Sequence, residues 1–230
     1  MISLSPRLLA AARLLDGGKT VVDVGTDHAY LPVFLVESGK CGAAIALDIG
    51  AGPLENARQT VEKHGLQSAV LLRLSNGLQE IGPAEAGEIC ICGMGGTLIA
   101  EILSAAPWVC RPGMHLVLQP MTHGEDVRAY LCANGFTVRK EVCVTESDRH
   151  TYCCISAEWT GRVVTPSPGF LFFGTLSGQG GDAAAFAEKQ FARIKKRADA
   201  LRSAGTAPEE EAMLREAMNE YRARKKEAAE

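Results

Sequence analysis

Short apolar runs near 20–25, 43–48, 69–74, 88–92 and 114–119 alternate with amphipathic helical stretches through the first 160 residues. That alternation is the pattern of βαβ units, and it predicts a mostly parallel sheet with helices packed on it. Ser5-Pro6 reads as an N-cap followed by proline at the first helical position, so residues 6–15 are expected to form a leading helix. Pro53 is expected to start a helix that runs to Lys63 and is closed by Gly65.

After a helix near 124–133, Gly135 gives way to two β-rich runs, 136–144 and 150–157, separated by the polar turn Glu146-Ser147-Asp148-Arg149. Five parallel strands followed by a hairpin is the order of a class I (Rossmann-like) methyltransferase sheet, in which the last strand inserts antiparallel. A plain dinucleotide-binding fold more often continues with another βα unit. The stretch 161–182 is rich in Gly, Pro and Ser, yet Phe170-Leu171-Phe172-Phe173 within it is expected to dock on a surface. From Ala183 the pattern is helical, with Ala187, Phe191, Ile194, Ala198 and Leu201 at four-three-four-three spacing, a coiled-coil-like seam. Gly205-Thr206-Ala207-Pro208 breaks it, and a second helix carries Leu214, Met218 and Tyr221 on one face. Two domains are expected: residues 1–160, and residues 161–230 as a linker and an antiparallel helical hairpin whose seam closes on itself, leaving a monomer.

The chemistry is expected at the strand ends. Val21-Val22-Asp23-Val24 stops at Gly25-Thr26-Asp27-His28, where an α/β sheet holds its ligand. A dinucleotide fingerprint would continue with a second glycine, because a pyrophosphate needs bare backbone and the positive end of a helix. Asp27 and His28 stand there instead, which suits a nucleoside-like ligand without phosphates such as S-adenosylmethionine and suits NAD poorly. The bland alternative is that Asp27 only caps helix amides. Asp48, about twenty residues on, can accept from two ribose hydroxyls, a feature that NAD would use equally. Asn76-Gly77 can face an adenine edge or be a simple turn. Cys92-Gly93-Met94-Gly95-Gly96 lets backbone approach a flat substrate or the transferring methyl group, or is a tight strand-to-helix turn with Met94 in the core. Gln119-Pro120-Met121 adds an amide that touches substrate or ties a loop.

Composition narrows the class. With 230 residues, 47% of them apolar, one sizeable core plus an appendage can be buried. No apolar stretch reaches the roughly twenty residues needed to cross a bilayer, and the first residues lack the layout of a signal peptide, so a cytoplasmic protein without a membrane partner is expected. The eight cysteines contain no Cys-x-x-Cys, which argues for buried thiols and no metal. Residues 1–160 hold 12 Lys+Arg against 17 Asp+Glu, and residues 161–230 hold 12 against 10. A polyanion would therefore find attraction locally, in Arg193-Ile194-Lys195-Lys196-Arg197 and Arg222-Ala223-Arg224-Lys225-Lys226, each of which is equally well a solvated helix face.

Together these segments resemble the bacterial TrmK-type tRNA (adenine-N1) methyltransferases. The likeness rests on Leu4 to Leu9, the unbroken Asp23 to Pro32 run, Gly52 to Ala57, Gly77-Leu78, Ile91 to Gly96 and Leu118 to Met121, and spans residues 3–160; the helical pair is similar in architecture only. The resemblance implies methylation of N1 of adenosine 22 in the tRNA D-arm with S-adenosylmethionine. On that reading Asp23, Gly25, Asp48, Asn76, Gly77, Gly93, Met94 and Gly95 face the cofactor. Arg7, Gln119, Pro120, Arg193, Lys195, Lys196 and Arg197 face the RNA. Asp27 stabilises the cationic product ring, His28 orients Asp27 or the base, and Tyr30 stacks on the base. Two departures stand out: Asn76 where the family usually has Asp, and Ile49-Gly50 where a polar residue often follows the ribose-binding acid. Three alternatives remain open at this point: a methyltransferase for a small metabolite or protein, an NAD-linked oxidoreductase, and an inert RNA-binding module of the same fold.

Overall fold

The computed structural model describes residues 1–146, 150–176 and 180–228. Seven strands form one sheet: β1 (Val21–Val24), β2 (Ala44–Asp48), β3 (Val70–Leu74), β4 (Glu88–Gly95), β5 (His115–Thr122), β6 (Phe136–Thr145) and β7 (Thr151–Trp159). Their order is β3-β2-β1-β4-β5-β7-β6. The first five are parallel, and β7 is antiparallel to both β5 and β6. This is the expected class I sheet with its late hairpin inserted at the edge. Of the polar turn at 146–149, Ser147, Asp148 and Arg149 lie outside the described residues.

Alternation along each central strand divides the core into two layers. Val22, Val24, Ile89, Ile91, Leu116 and Leu118 pack with Ile99 and Leu103 of α4 (Gly96–Ser104) and Val127 and Leu131 of α5 (Gly124–Ala133). Val21, Ala44, Cys90, Val117 and Cys154 meet α1 (Pro6–Leu14) and α2 (Tyr30–Glu37) on the other face, and α3 (Ala51–Lys63) closes that layer beside Ala46 and Val70. Strands buried on both sides explain why the first runs read as continuously apolar. The thiols are all unpaired by disulfides, and five of the eight are buried. No described helix is long and apolar enough to cross a membrane.

Two boundaries and one cap differ from the sequence reading. Helix α3 begins at Ala51, two residues before Pro53, with Gly50 at its N-cap. Strand β4 continues through the glycines to Gly95, because Gly93 at φ +79° makes a bulge that keeps the pairing with β5 alive beyond Cys92. Ser5 has the extended backbone of an N-cap, yet its side chain makes no capping bond.

Beyond the sheet, α6 (Pro168–Phe173), α7 (Gly181–Ala204) and α8 (Pro208–Glu227) share a separate core. Pairs Arg197–Glu210 near the turn and Lys225–Glu188 far from it fix α7 and α8 as antiparallel. The seam residues Ala187, Ile194, Ala198 and Leu201 are buried against Leu214, Ala217, Met218 and Tyr221. The aromatic segment is a third helix, with Phe173 stacked on Tyr221 at 4.2 Å between ring centres. Arg128 of α5 anchors this unit: it is buried, pairs with Glu141 of β6 at 2.7 Å and donates to the Leu171 carbonyl at 2.9 Å.

Candidate active site

A cavity of about 450 Å³ opens at the carboxyl ends of β1 and β4. Ser3, Ser5, Arg7 and Leu8 line it from the start of the chain, Asp23 and Gly25 to His28 from the first turn, Tyr30 and Leu31 from α2, and Cys92 and Gly93 from β4. The turn is pinned because the amides of Gly25 and Thr26 both donate to the Leu47 carbonyl of β2, at 2.8 and 2.9 Å. Gly25 sits at φ +76°, and a Cβ there would lie 2.2 Å from Met94 Cε. Only glycine satisfies both the conformation and the contact with the β4 bulge. Asp27 and Ala29 also adopt left-handed backbone, at φ +52° and +55°, which costs about 1–2 kcal/mol per residue. Ala29 holds that conformation because its methyl is fully buried beside Val33, Ala46 and Ala57.

The site is strongly acidic. Asp23 is 5% exposed, and its carboxyl is pushed up to about 6, chiefly by burial; Thr26 works in the opposite direction, and the nearby Asp48 charge adds to the rise. Asp48 accepts from the Asp27 amide at 3.1 Å and from the Gly50 amide at 2.9 Å. Each of its oxygens retains a lone pair for a further donor. Three carboxylates at the ends of two adjacent strands favour a cationic ligand and oppose a pyrophosphate.

Asp27 caps nothing in α2, whose N-cap Ala29 makes no side-chain cap bond. Its carboxylate lies 3.5 Å from His28 Nε2, and the His28 ring stacks on Tyr30 at 5.1 Å and 13° from parallel. Tyr30 is thus paired with His28 in a partly exposed wall of the cavity. Behind it the fully buried Gln119 accepts from the Gly93 amide at 3.1 Å and from Arg7 Nη1 at 3.2 Å. Gln119 therefore positions both the glycine bulge and the arginine.

Other expected residues lie farther out. Asn76 and Gly77 follow β3 along the same edge but outside this cavity; Asn76 is exposed, and the Ser75 amide ties that turn to the Asp48 carbonyl at 2.9 Å. Met94 covers Gly25, and Gly95 pairs with Thr122 on β5. Pro120 lines a different cavity. On α7, Arg193 is held by Glu125 at 2.9 Å, Lys195 by Asp199 at 2.6 Å and Arg197 by Glu210 at 2.8 Å, while Lys196 makes no ion pair among the described residues. Sequence reasoning placed Thr26 and Cys92 within site segments without giving them a role, and missed Ser3, Ser5, Leu8 and Leu31 as lining residues. Ser5 carries the most informative signal, since its buried hydroxyl has no hydrogen-bond partner and is available to a polar ligand.

A protein-family profile described as "Methyltransferase domain" matches residues 4–155. The tRNA (adenine(22)-N(1))-methyltransferase of Bacillus subtilis is 39% identical over 157 residues, 68% of this chain and 66% of that protein, so the aligned stretch spans just under two thirds of this curated relative. Superposition extends the match over the C-terminal helices. The crystal structure of the B. subtilis m1A22 tRNA methyltransferase TrmK covers 98% of this chain and 99% of its own, with 31% identity and a TM-score of 0.82. A Streptococcus pneumoniae structure, described as a putative tRNA (m1A22) methyltransferase in complex with S-adenosyl-L-methionine, covers 98% and 100% at 31% identity and a TM-score of 0.76. With the profile matching residues 4–155 and the TrmK structure superposing over 98% of the chain at 31% identity, this chain belongs to the methyltransferase-domain family and, within it, to the TrmK-type methyltransferases.

Proposed function

We propose that this chain transfers the methyl group of S-adenosylmethionine to N1 of adenosine 22 in tRNA. One observation carries the reading: the cavity at the end of β1 combines a glycine turn with buried Asp23 and the unpartnered Ser5 hydroxyl, in a chain that aligns end to end with the S-adenosylmethionine-bound relative. The residues present fit that cofactor. Asp23 and Ser5 suit a cationic amino-acid moiety, Asp48 has acceptor capacity for ribose hydroxyls, and Asn76 and Gly77 border the edge farther along. Bound S-adenosylmethionine supplies an electrophilic methyl group on a sulfonium.

Adenine N1 already carries a lone pair, so alignment accounts for most of the acceleration and no covalent enzyme intermediate is required. The product ring is cationic, and the Asp27 carboxylate in the outer wall stabilises the charge as it forms. His28, 3.5 Å away, orients that carboxylate, and the His28–Tyr30 stack offers a flat face to the base. Because N1 lies on the Watson–Crick edge, the base enters unpaired or flipped, at a cost of a few kcal/mol. The helical unit, residues 161–230, holds the folded RNA through cations such as Lys196 on α7. The chain acts in the cytoplasm and as a monomer, since the apolar seam of α7 is covered by α8.

The test is methyl transfer from labelled S-adenosylmethionine to unmodified bacterial tRNA, with the modified base mapped. N1-methyladenosine at position 22 is the expected product. Cofactor binding without RNA methylation would leave the site intact and turn the search to another acceptor.

A further inference from the structure

A second cavity, of about 530 Å³, lies between the tip of β5 and helix α7. Pro120 and Met121 form one side, Tyr152 at the start of β7 another, and Phe186, Lys189 and Arg193 a third. The α7 residues recur at helical spacing, so a single face of that helix turns toward the sheet. Strand β5 separates this cavity from the active site: Gln119 reaches Arg7 and Gly93 on one side, and Pro120, the next residue, lines the cavity on the other. An extended strand directs successive side chains to opposite faces. The two cavities therefore flank one strand tip at the ligand-binding edge of the sheet.

The lining chemistry is that of a nucleotide site. Phe186 is half-buried and presents ring surface. The Tyr152 and His150 rings lie 6.4 Å apart and 26° from parallel. Lys189 is exposed at the rim and makes no ion pair among the described residues, whereas Arg193 is held in place by Glu125 at 2.9 Å and lies over Phe172 at 5.9 Å. Aromatic surface with a free cation at its rim is how proteins hold unpaired nucleotides, since every base has a face to stack and a phosphate beside it.

We propose that this cleft takes the nucleotide adjoining the methylated adenosine, its base against Phe186 and Tyr152 and its phosphate at Lys189. The proposal rests on the tRNA reading above and adds to it the means by which the target base is kept out of its helix: the neighbouring base is held on the far side of β5, so the RNA strand is splayed across the exposed tip of β5 at Met121 and Thr122.

Two measurements test it. Lys189→Glu, at an exposed position that leaves the core untouched, is expected to raise the KM for tRNA about tenfold or more while S-adenosylmethionine binding and the unfolding midpoint stay unchanged. In parallel, wild-type enzyme is given tRNA made abasic at position 21 or at position 23. One of the two is expected to be methylated about tenfold less efficiently, and Phe186→Ala is expected to reduce that discrimination. If wild type methylates intact tRNA, Lys189→Glu leaves the KM for tRNA unchanged and wild type methylates both abasic tRNAs as well as intact tRNA, the cleft proposal fails alone. If wild type binds the cofactor and methylates no tRNA, the proposal falls together with the reading it rests on.

Discussion

Replacing Asp23 by asparagine should make the ligand-free protein more stable and its cofactor binding worse. The carboxyl is raised from 3.8 to about 6, mainly because burial disfavours its charged form. A shift of about two units corresponds to roughly 3 kcal/mol at 1.36 kcal/mol per unit. The folded state holds the proton more tightly than the unfolded chain does. Between about pH 4 and pH 6 it is therefore the folded state that carries more protons, and this group lowers stability progressively as pH rises through that window, with the full cost present above about 6. The side-chain amide of the D23N variant does not titrate. The stability gain of D23N over wild type is thus expected to be near zero at pH 4 and to reach about 3 kcal/mol by pH 7, or roughly 6–12 °C in Tm for a chain of this size. Urea unfolding of both proteins across that range measures it directly. The same variant should bind S-adenosylmethionine roughly ten- to a hundredfold more weakly, as expected for losing a charged hydrogen-bond partner. A gain that does not vary with pH would refute the assignment of the raised carboxyl to Asp23, and unchanged cofactor affinity would refute its role at the ligand.

Gly25→Ala should destabilise by at least about 1–2 kcal/mol from the positive φ alone, and more from overlap with Met94; adding Met94→Ala should recover the overlap part, as read by denaturant titration. Arg128→Leu leaves the buried Glu141 carboxylate without its cation and should cost about 3–5 kcal/mol. The double replacement with Glu141→Leu should cost less than the single change, an ordering that unfolding of the three variants checks. Asp27→Ala should lower kcat about tenfold or more with cofactor affinity little changed, and near-normal turnover would remove Asp27 from charge stabilisation.

Much of the fold was legible because strands buried on both faces leave uninterrupted apolar runs, and the hairpin of β6 and β7 announces itself by Gly135 and two β-rich runs in succession. Less legible was where β4 stops, since a glycine bulge and a glycine turn have the same composition; the pairing of Met94 with Pro120 distinguishes them, and that is a contact between strands. The turn from Gly25 to His28 was readable at the level of chemistry, because residue types at a strand end constrain the ligand. The basic clusters were not. Arg193 meets Glu125 and Arg197 meets Glu210, partners 68 and 13 residues away, so charges that look free in a linear reading hold helices in place. Arg222 over Phe191 and Arg224 on the Gly174 carbonyl do the same in the second cluster. Lys189, in contrast, stands outside both clusters and had no local signal.

The Arg128–Glu141 pair has a consequence for how sequences of this shape can diverge. Both residues belong to the sheet portion of the molecule, and what they grip across the junction is largely main chain: the Leu171 carbonyl for Arg128, the Thr175 amide for Glu141. Gly174 between them has φ +58°, with Glu141 packed where a Cβ would stand. A mount that recognises backbone atoms places few demands on the side chains it carries. The α6 segment is therefore held whatever side chains it carries, whereas α7 docks through its own, with Arg193 on Glu125 and Phe186 against the sheet core, so one end of the unit is fixed by backbone recognition and the other by charge and apolar fit.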